Sequence, residues 1–261
     1  RSEGFCGVRH SIEVDGGSEL DLVEMHVSLA EEEHLNFVVN HIDLKEKAVC
    51  RHNRVYTSNN THRYMVHDEV IQAESSSLKA GRFSLTDGKV TDALWADLQD
   101  ANAAIDVRGV YWAQAKSAID QYAQINHQAP YGQSRQIYRG IASGHAKLDL
   151  HSRVFIGHDA DQVDADQTGK HLLLSPQAEI NTKPELEVYT EEVRCTHGAC
   201  VGQIDEDALF YCQSRGMDFK TAQQLLLVSH VDGVMQDLES ESLSVWLQSA
   251  YTSAIMEVMA S

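Results

Sequence analysis

The sequence predicts a mainly β chain: a parallel β-solenoid over residues 1–203, followed by a small α-helical C-terminal domain over 204–261. Three observations predict it. Short segments with period-two alternation recur from Phe5 to about Gln203, each able to bury one face and wet the other. A loose motif recurs with them, a small or polar pair followed by Ala or Val and then a strand. Its intervals are irregular, roughly 30 to 55 residues, which suits stacked rungs with small residues at inward turns. Beyond Gln203 the apolar spacing changes from two to three or four. Periodicity alone leaves a β-sandwich or barrel open as the alternative.

The elements follow in order. His10 to Val14, Glu19 to Val23 and Glu185 to Tyr189 alternate as half-buried strands. Turn clusters separate such segments at Asp15-Gly16-Gly17-Ser18, Ser58-Asn59-Asn60, Thr86-Asp87-Gly88 and Ser143-Gly144. The recurring motif reads Lys47-Ala48-Val49, Asn102-Ala103-Ala104, His145-Ala146-Lys147 and Gln177-Ala178-Glu179. Asp92 to Gln124 is alanine-rich and open to a helical reading. Ile105 to Tyr111 alternates, however, and Gly109 would cost a helix about 1 kcal/mol relative to Ala, so strands are expected there.

After Gln203, Asp205 caps a first helix through Arg215, with Ala208, Leu209 and Cys212 on one face and Gly216 as its stop. Asp218 caps a second, whose apolar positions are Ala222, Leu225, Leu226, Val234, Met235 and Leu238. A third runs through Leu243, Trp246, Leu247, Ala250, Tyr251, Ala254, Ile255 and Val258. Such stripes read first as core faces. Three short helices make a thin core, so part of this surface is expected to dock on a partner.

Charge narrows the partners. With 21 basic against 39 acidic residues the formal charge is −18, which repels phosphate backbones and anionic lipid. No nucleic-acid and no membrane partner is expected; a basic protein or a metal ion is compatible. No apolar run reaches the ~20 residues that span a bilayer. Arg1 stands in place of methionine and strand-like sequence follows at once, which reads as a piece of a longer chain. The five cysteines, Cys6, Cys50, Cys195, Cys200 and Cys212, are odd in number and widely spaced, as expected of reduced thiols in a cytosol-like compartment. Most read as small core side chains.

Nucleotide-binding loops, a G-x-S-x-G elbow and H-E-x-x-H are absent from the sequence, which counts against an ATPase, dehydrogenase, serine hydrolase or zinc protease. Asp159, Asp161, Asp164 and Asp166 alternate like a calcium loop but lack its glycine and terminal glutamate. One constellation stands out, Cys195-Thr196-His197-Gly198. On an extended strand Cys195 and His197 project to the same face, offering sulfur and nitrogen to iron, an iron–sulfur unit, zinc or copper. Two ligands make half a site, to be completed by another chain or by cargo. A buried cysteine beside a surface histidine is the plainer alternative. The other thirteen histidines are scattered, and most read as surface or strand residues.

A long stretch around this pair resembles the SufB/SufD family of iron–sulfur cluster assembly proteins. It comprises Asp164 to Thr168, Leu172 to Ser175, Asn181 to Tyr189, Val193 to Gln203, Asp205 to Tyr211 and Ser214-Arg215-Gly216. Upstream, Ser134-Arg135, Tyr138-Arg139-Gly140 and Ser152 to Phe155 fit as well. The strong part covers roughly residues 108 to 238; earlier residues match in style only. The Lys-Pro-x-Leu-Glu and Cys-Thr-His-Gly elements resemble the SufD branch more than SufB. Gly169 and His171 stand where the family usually has Asn, which puts the local turn geometry in question.

The resemblance implies a right-handed parallel β-helix and a helical C-terminal domain. It implies a scaffold subunit that is not itself an enzyme and binds no nucleotide, paired with a SufB-like subunit and docked to a SufC-like ABC ATPase. It places His197, with Cys195 beside it, at the shared interface as ligands of a transient iron–sulfur cluster or iron. ATPase docking falls to the helices, with Leu209, Phe210, Leu225 and Leu226 as the expected contacts. The implied location is cytoplasm or plastid stroma. A homo-oligomer of the chain alone and a polysaccharide-active β-helix enzyme are the alternative readings.

Overall fold

The computed structural model describes residues 4–27, 33–57, 62–236 and 238–258, the last without its side chain. The expected turn at Ser58-Asn59-Asn60 and the side chain of Val258 lie outside what is described. Two seven-stranded parallel sheets face each other. The first runs β1 (Gly4–Val14), β3 (His34–Leu44), β5 (His62–Gln72), β7 (Lys89–Leu98), β9 (Ala118–His127), β11 (Lys147–Ile156) and β13 (Glu179–Val188). The second runs β2 (Glu19–Val27), β4 (Val49–Thr57), β6 (Ser77–Thr86), β8 (Ala104–Ala113), β10 (Gln133–Ala142), β12 (Asp164–Leu173) and β14 (Arg194–Gly202). Consecutive strands alternate between sheets, so two strands make one turn of a solenoid. The sandwich and barrel alternatives fall away because every ladder is parallel.

Each turn takes 26 to 32 residues, from Arg63 paired with Lys89 to Lys147 paired with Glu179. One corner repeats a fixed device. Gly17, Lys47, Ser75, Asn102, Tyr131 and Gln162 all take positive φ, and each donates its N–H to a backbone carbonyl of the next turn. The residue after three of them is small and fully buried: Ala48, Ser76 and Ala103. The left-handed residue swings the chain round, and the small one lets the rungs stack. The alanine-rich stretch from Asp92 to Gln124 is strand, as its alternation predicts, spread over β7, β8 and β9.

Between the sheets lies an apolar column that includes Ile42, Leu44, Leu78, Leu94, Leu98, Ile119, Ile125, Leu148, Val154 and Ile156. The early turns also enclose charge. Arg54 and Arg82 are buried with Asp68 and Asp92. Arg54 donates to Asp68 at 2.7 Å and to Asp92 at 3.1 Å, and Arg82 to Asp68 at 2.5 Å. Tyr56 donates to Asp92 at 2.7 Å. Glu24 closes the network towards the first turn, accepting from Arg54 at 2.9 Å beside His52 at 3.0 Å.

The helices are α1 (Glu206–Ser214), α2 (Phe219–Met235) and α3 (Glu241–Val258). Asp205 accepts from the backbone of Asp207 and Ala208, and Asp218 from Thr221, the expected caps. Gly216, at φ 95°, follows the first helix as its stop. Their thin core is completed by the solenoid. Leu227, Val231, Val234, Met235, Leu243, Leu247, Tyr251 and Ile255 pack on the outer face of the second sheet, against Val55, Phe83, Val110, Trp112 and Ile141. Tyr251 donates to the carbonyls of Val110 and Ser84, and Glu239 bridges Arg51 and Lys79.

Two expectations are corrected. The buried stripe of α2 is Ala222, Leu227, Val231, Val234 and Met235, with Leu225 facing solvent. It turns by one position because the helix has to meet the sheet as well as α3. Only Cys50 among the cysteines is fully buried, its thiol pushed up to about 11, chiefly by burial. Among the histidines read as surface or strand residues, His52, His62, His127 and His171 are strand residues that point inward.

Candidate functional site

The site is built on the end of the solenoid. β14 is the last strand of its sheet and pairs with β12 on one side. Its register is held from outside: Thr196 donates to Asp166, and Arg194 lies 3.6 Å from Asp164. Two of the aspartates that alternate like a calcium loop, Asp164 and Asp166, thus serve to fasten this strand. Asp161 likewise accepts from Thr190 just ahead of it.

Cys195 and His197 differ in environment. Cys195 is half-buried and packs against the apolar column. Burial raises its thiol pKa, with a backbone hydrogen bond at Ala165 pulling the other way. His197 is exposed at the end of the solenoid. The plainer reading of a buried cysteine beside a surface histidine is met only for the histidine, and both residues share one face of an edge strand. Among the described residues, no group of three or more His, Cys, Asp or Glu side chains could hold a metal ion. The pair is chemically a soft and a borderline donor short of a full coordination set.

Beneath this strand lie residues that sequence reasoning passed over. Gln167 is in register with His197, and Gln136 with Gln167 one turn further in. Both glutamines are buried. Gln136 accepts from the Tyr138 hydroxyl at 2.9 Å, while its amide nitrogen and both amide atoms of Gln167 have no hydrogen-bond partner among the described residues. Their sequence separation of one solenoid turn is the signal that could have found them. Gly169 and His171, where Asn was expected, sit inside β12 and not in a turn. A Cβ at Gly169 would lie 2.8 Å from the His171 ring, and one at Gly140 2.9 Å from it. The two glycines make the slot the ring fills. Burial, then His230 and Arg139, lowers the His171 pKa to about 4, so the ring is neutral.

The expected docking positions lie on α1 and α2. Phe210 is 72% exposed and Leu225 47%, with Tyr211, Met217 and Phe219 also open to solvent. Leu209 and Leu226 are partly covered. The structure does not bring these positions and the Cys195–His197 strand into one site.

Comparison with known proteins decides the family. The family model described as "SUF system FeS cluster assembly, SufBD core domain" matches residues 2–230. The chain belongs to the SufB/SufD core family. The match reaches the early turns, where the sequence resembled the family in style only. The matched residues thus span the buried charge network as well as the Cys195–His197 strand. The iron–sulfur cluster assembly protein SufD of Escherichia coli is 26% identical over 235 residues, 90% of this chain and 56% of that protein. The chloroplastic protein ABCI7 of Arabidopsis thaliana is 35% identical over 131 residues, 49% of this chain and 27% of that one. The SufBD family protein slr0076 of Synechocystis is 25% identical over 210 residues, 80% and 46% of the two chains. The chain spans about half or less of the length of these relatives. Among the described residues, no helix is long and apolar enough to cross a membrane.

Proposed function

We propose that this chain is a SufD-like scaffold subunit of iron–sulfur cluster assembly, without turnover of its own. It pairs with a SufB-like subunit through the end of the solenoid that carries β14, and holds a SufC-like ABC ATPase on α1 and α2. The observation that supports this reading best is the placement of Cys195 and His197 on an edge strand with an unpaired side. A second chain can pair with that edge and bring the missing donors. The cluster, or the iron that starts it, is cargo: Cys195 and His197 contribute a thiolate and a neutral imidazole, and the partner supplies the remaining ligands. Exposed Phe210 and Leu225 support docking on the helices. The setting is cytoplasm or plastid stroma.

Co-expression with a SufB-like and a SufC-like protein tests it. The expected result is one complex containing all three chains, which gains iron and sulfide under anaerobic assembly. Purification of this chain alone, as a homodimer through the same edge and with no partner retained, would contradict it.

A further inference from the structure

The buried amide of Gln167 has no hydrogen-bond partner among the described residues, and Gln167 is the register neighbour of His197. Gln167 and His197 occupy the same register position on adjacent parallel strands, about 4.8 Å apart in the pairing direction. Both side chains point to the inner side of the sheet, by the alternation that also buries Ala165 and Gln167. Gln167 is 1% exposed, and neither its oxygen nor its nitrogen has a partner among the described residues. Buried amides without partners are rare in folded proteins. Below it Gln136 is fixed at its oxygen by Tyr138 and has a free N–H to donate upward. The stack runs Tyr138, Gln136, Gln167, His197, one turn of the solenoid per step after the first.

We infer that Gln167 is the positioning residue for His197: the ring turns onto β12 and its N–H closes on the Gln167 amide oxygen, which has no other partner among the described residues. The inference rests on the proposed role of His197 and adds what makes that role possible. An imidazole that donates one N–H to a carbonyl oxygen is held in one tautomer, and the lone pair of its other nitrogen points away from the donor. For His197 that direction is the open end of the solenoid, where cargo and a second chain would stand. The amide also suits the task by being uncharged. A carboxylate there would favour the protonated ring, which cannot be a ligand. The second lone pair of the Gln167 oxygen remains open to the N–H of Gln136.

Nitrogen-15 NMR of the full chain labelled at histidine tests the inference, with the His197 signal identified by its loss in His197→Gln. The wild-type spectrum is expected to show one dominant tautomer at His197. In Gln167→Met the ring is expected to relax to the mixture of a free imidazole. Gln136→Met, which removes a buried amide one turn further in, is expected to retain the dominant tautomer. A free-imidazole mixture in the wild-type chain overturns the inference even where a variant fails to fold. So does a folded Gln167→Met variant whose His197 tautomer matches wild type. Cluster formation plays no part in these readouts. Loss of the proposed function on His197→Ala with no response to Gln167 would sink this inference alone. The reverse pattern would sink the functional reading alone.

Discussion

Arg54 donates to Asp68 at 2.7 Å, and both side chains are wholly buried between the two sheets. Burial by itself would raise the Asp68 carboxyl, but Arg54 and Arg82 outweigh it and hold the group well below the carboxylate range. Taking one partner from such a pair leaves a buried charge uncompensated, which costs about 3–5 kcal/mol. Asp68→Asn is therefore expected to lower the urea midpoint sharply, whereas Lys147→Ala, which breaks an exposed pair at 3.3 Å, should change stability by less than about 1 kcal/mol. Equal effects from the two would contradict the account of the early turns.

Acid should weaken the fold in two stages. His127 and His171 are lowered to about 4 by burial, so between the ordinary 6.5 and about 4 the unfolded chain binds protons that the folded chain does not. Stability from these groups is complete above pH 6.5 and falls as pH drops towards 4, by up to about 3 kcal/mol each. Glu24 and Asp68, held low, add a second loss below about pH 4.5. Thermal unfolding from pH 8 to 4 is expected to show a falling Tm that His127→Gln flattens in the first stage. A Tm independent of pH over that range would count against it.

The solenoid was legible, but its period was not. The four motif sites at Ala48, Ala103, Ala146 and Ala178 belong to two different corners. Ala48 and Ala103 follow the left-handed residues between β3 and β4 and between β7 and β8. Ala146 and Ala178 lie at the opposite corner. Mixing corners, and missing Ser76 because serine does not resemble alanine, turned one 26–32 residue period into irregular intervals. The interior charges were hidden by the same alternation that revealed the strands. His52 and Arg54 alternate with Arg51 and Asn53, so polarity could not say which face was inside. Cys195 and His197 could be paired from sequence because local spacing suffices on a strand. Gln167 was missed because its relation to His197 exists only through the register.

The helical tail should behave as part of the solenoid's outer wall. Leu247 is fully buried between the tail and the sheet, so Leu247→Ala is expected to cost about 2–5 kcal/mol. Tyr251→Phe, which removes the hydroxyl bonded to the Val110 and Ser84 carbonyls, should cost about 1 kcal/mol. Chemical denaturation that leaves both variants at the wild-type midpoint would show that the tail does not contribute to the core.

Docking and folding should separate on α1 and α2. Phe210 and Leu225 are largely open, so Phe210→Asp and Leu225→Asp should leave stability within about 0.5 kcal/mol. Pull-down of a SufC-like ATPase is expected to fail with the double variant. Retention at the wild-type level would move the docking surface elsewhere.

The most direct measurement is iron and sulfide per complex after anaerobic assembly, comparing wild type with His197→Ala in the presence of SufB-like and SufC-like partners. The exposed ring can be removed without disturbing the fold, so the complex should form normally and its cluster content should fall several-fold. A His197→Ala complex that fills with cluster as the wild type does would contradict the placement of the cargo at this end of the solenoid.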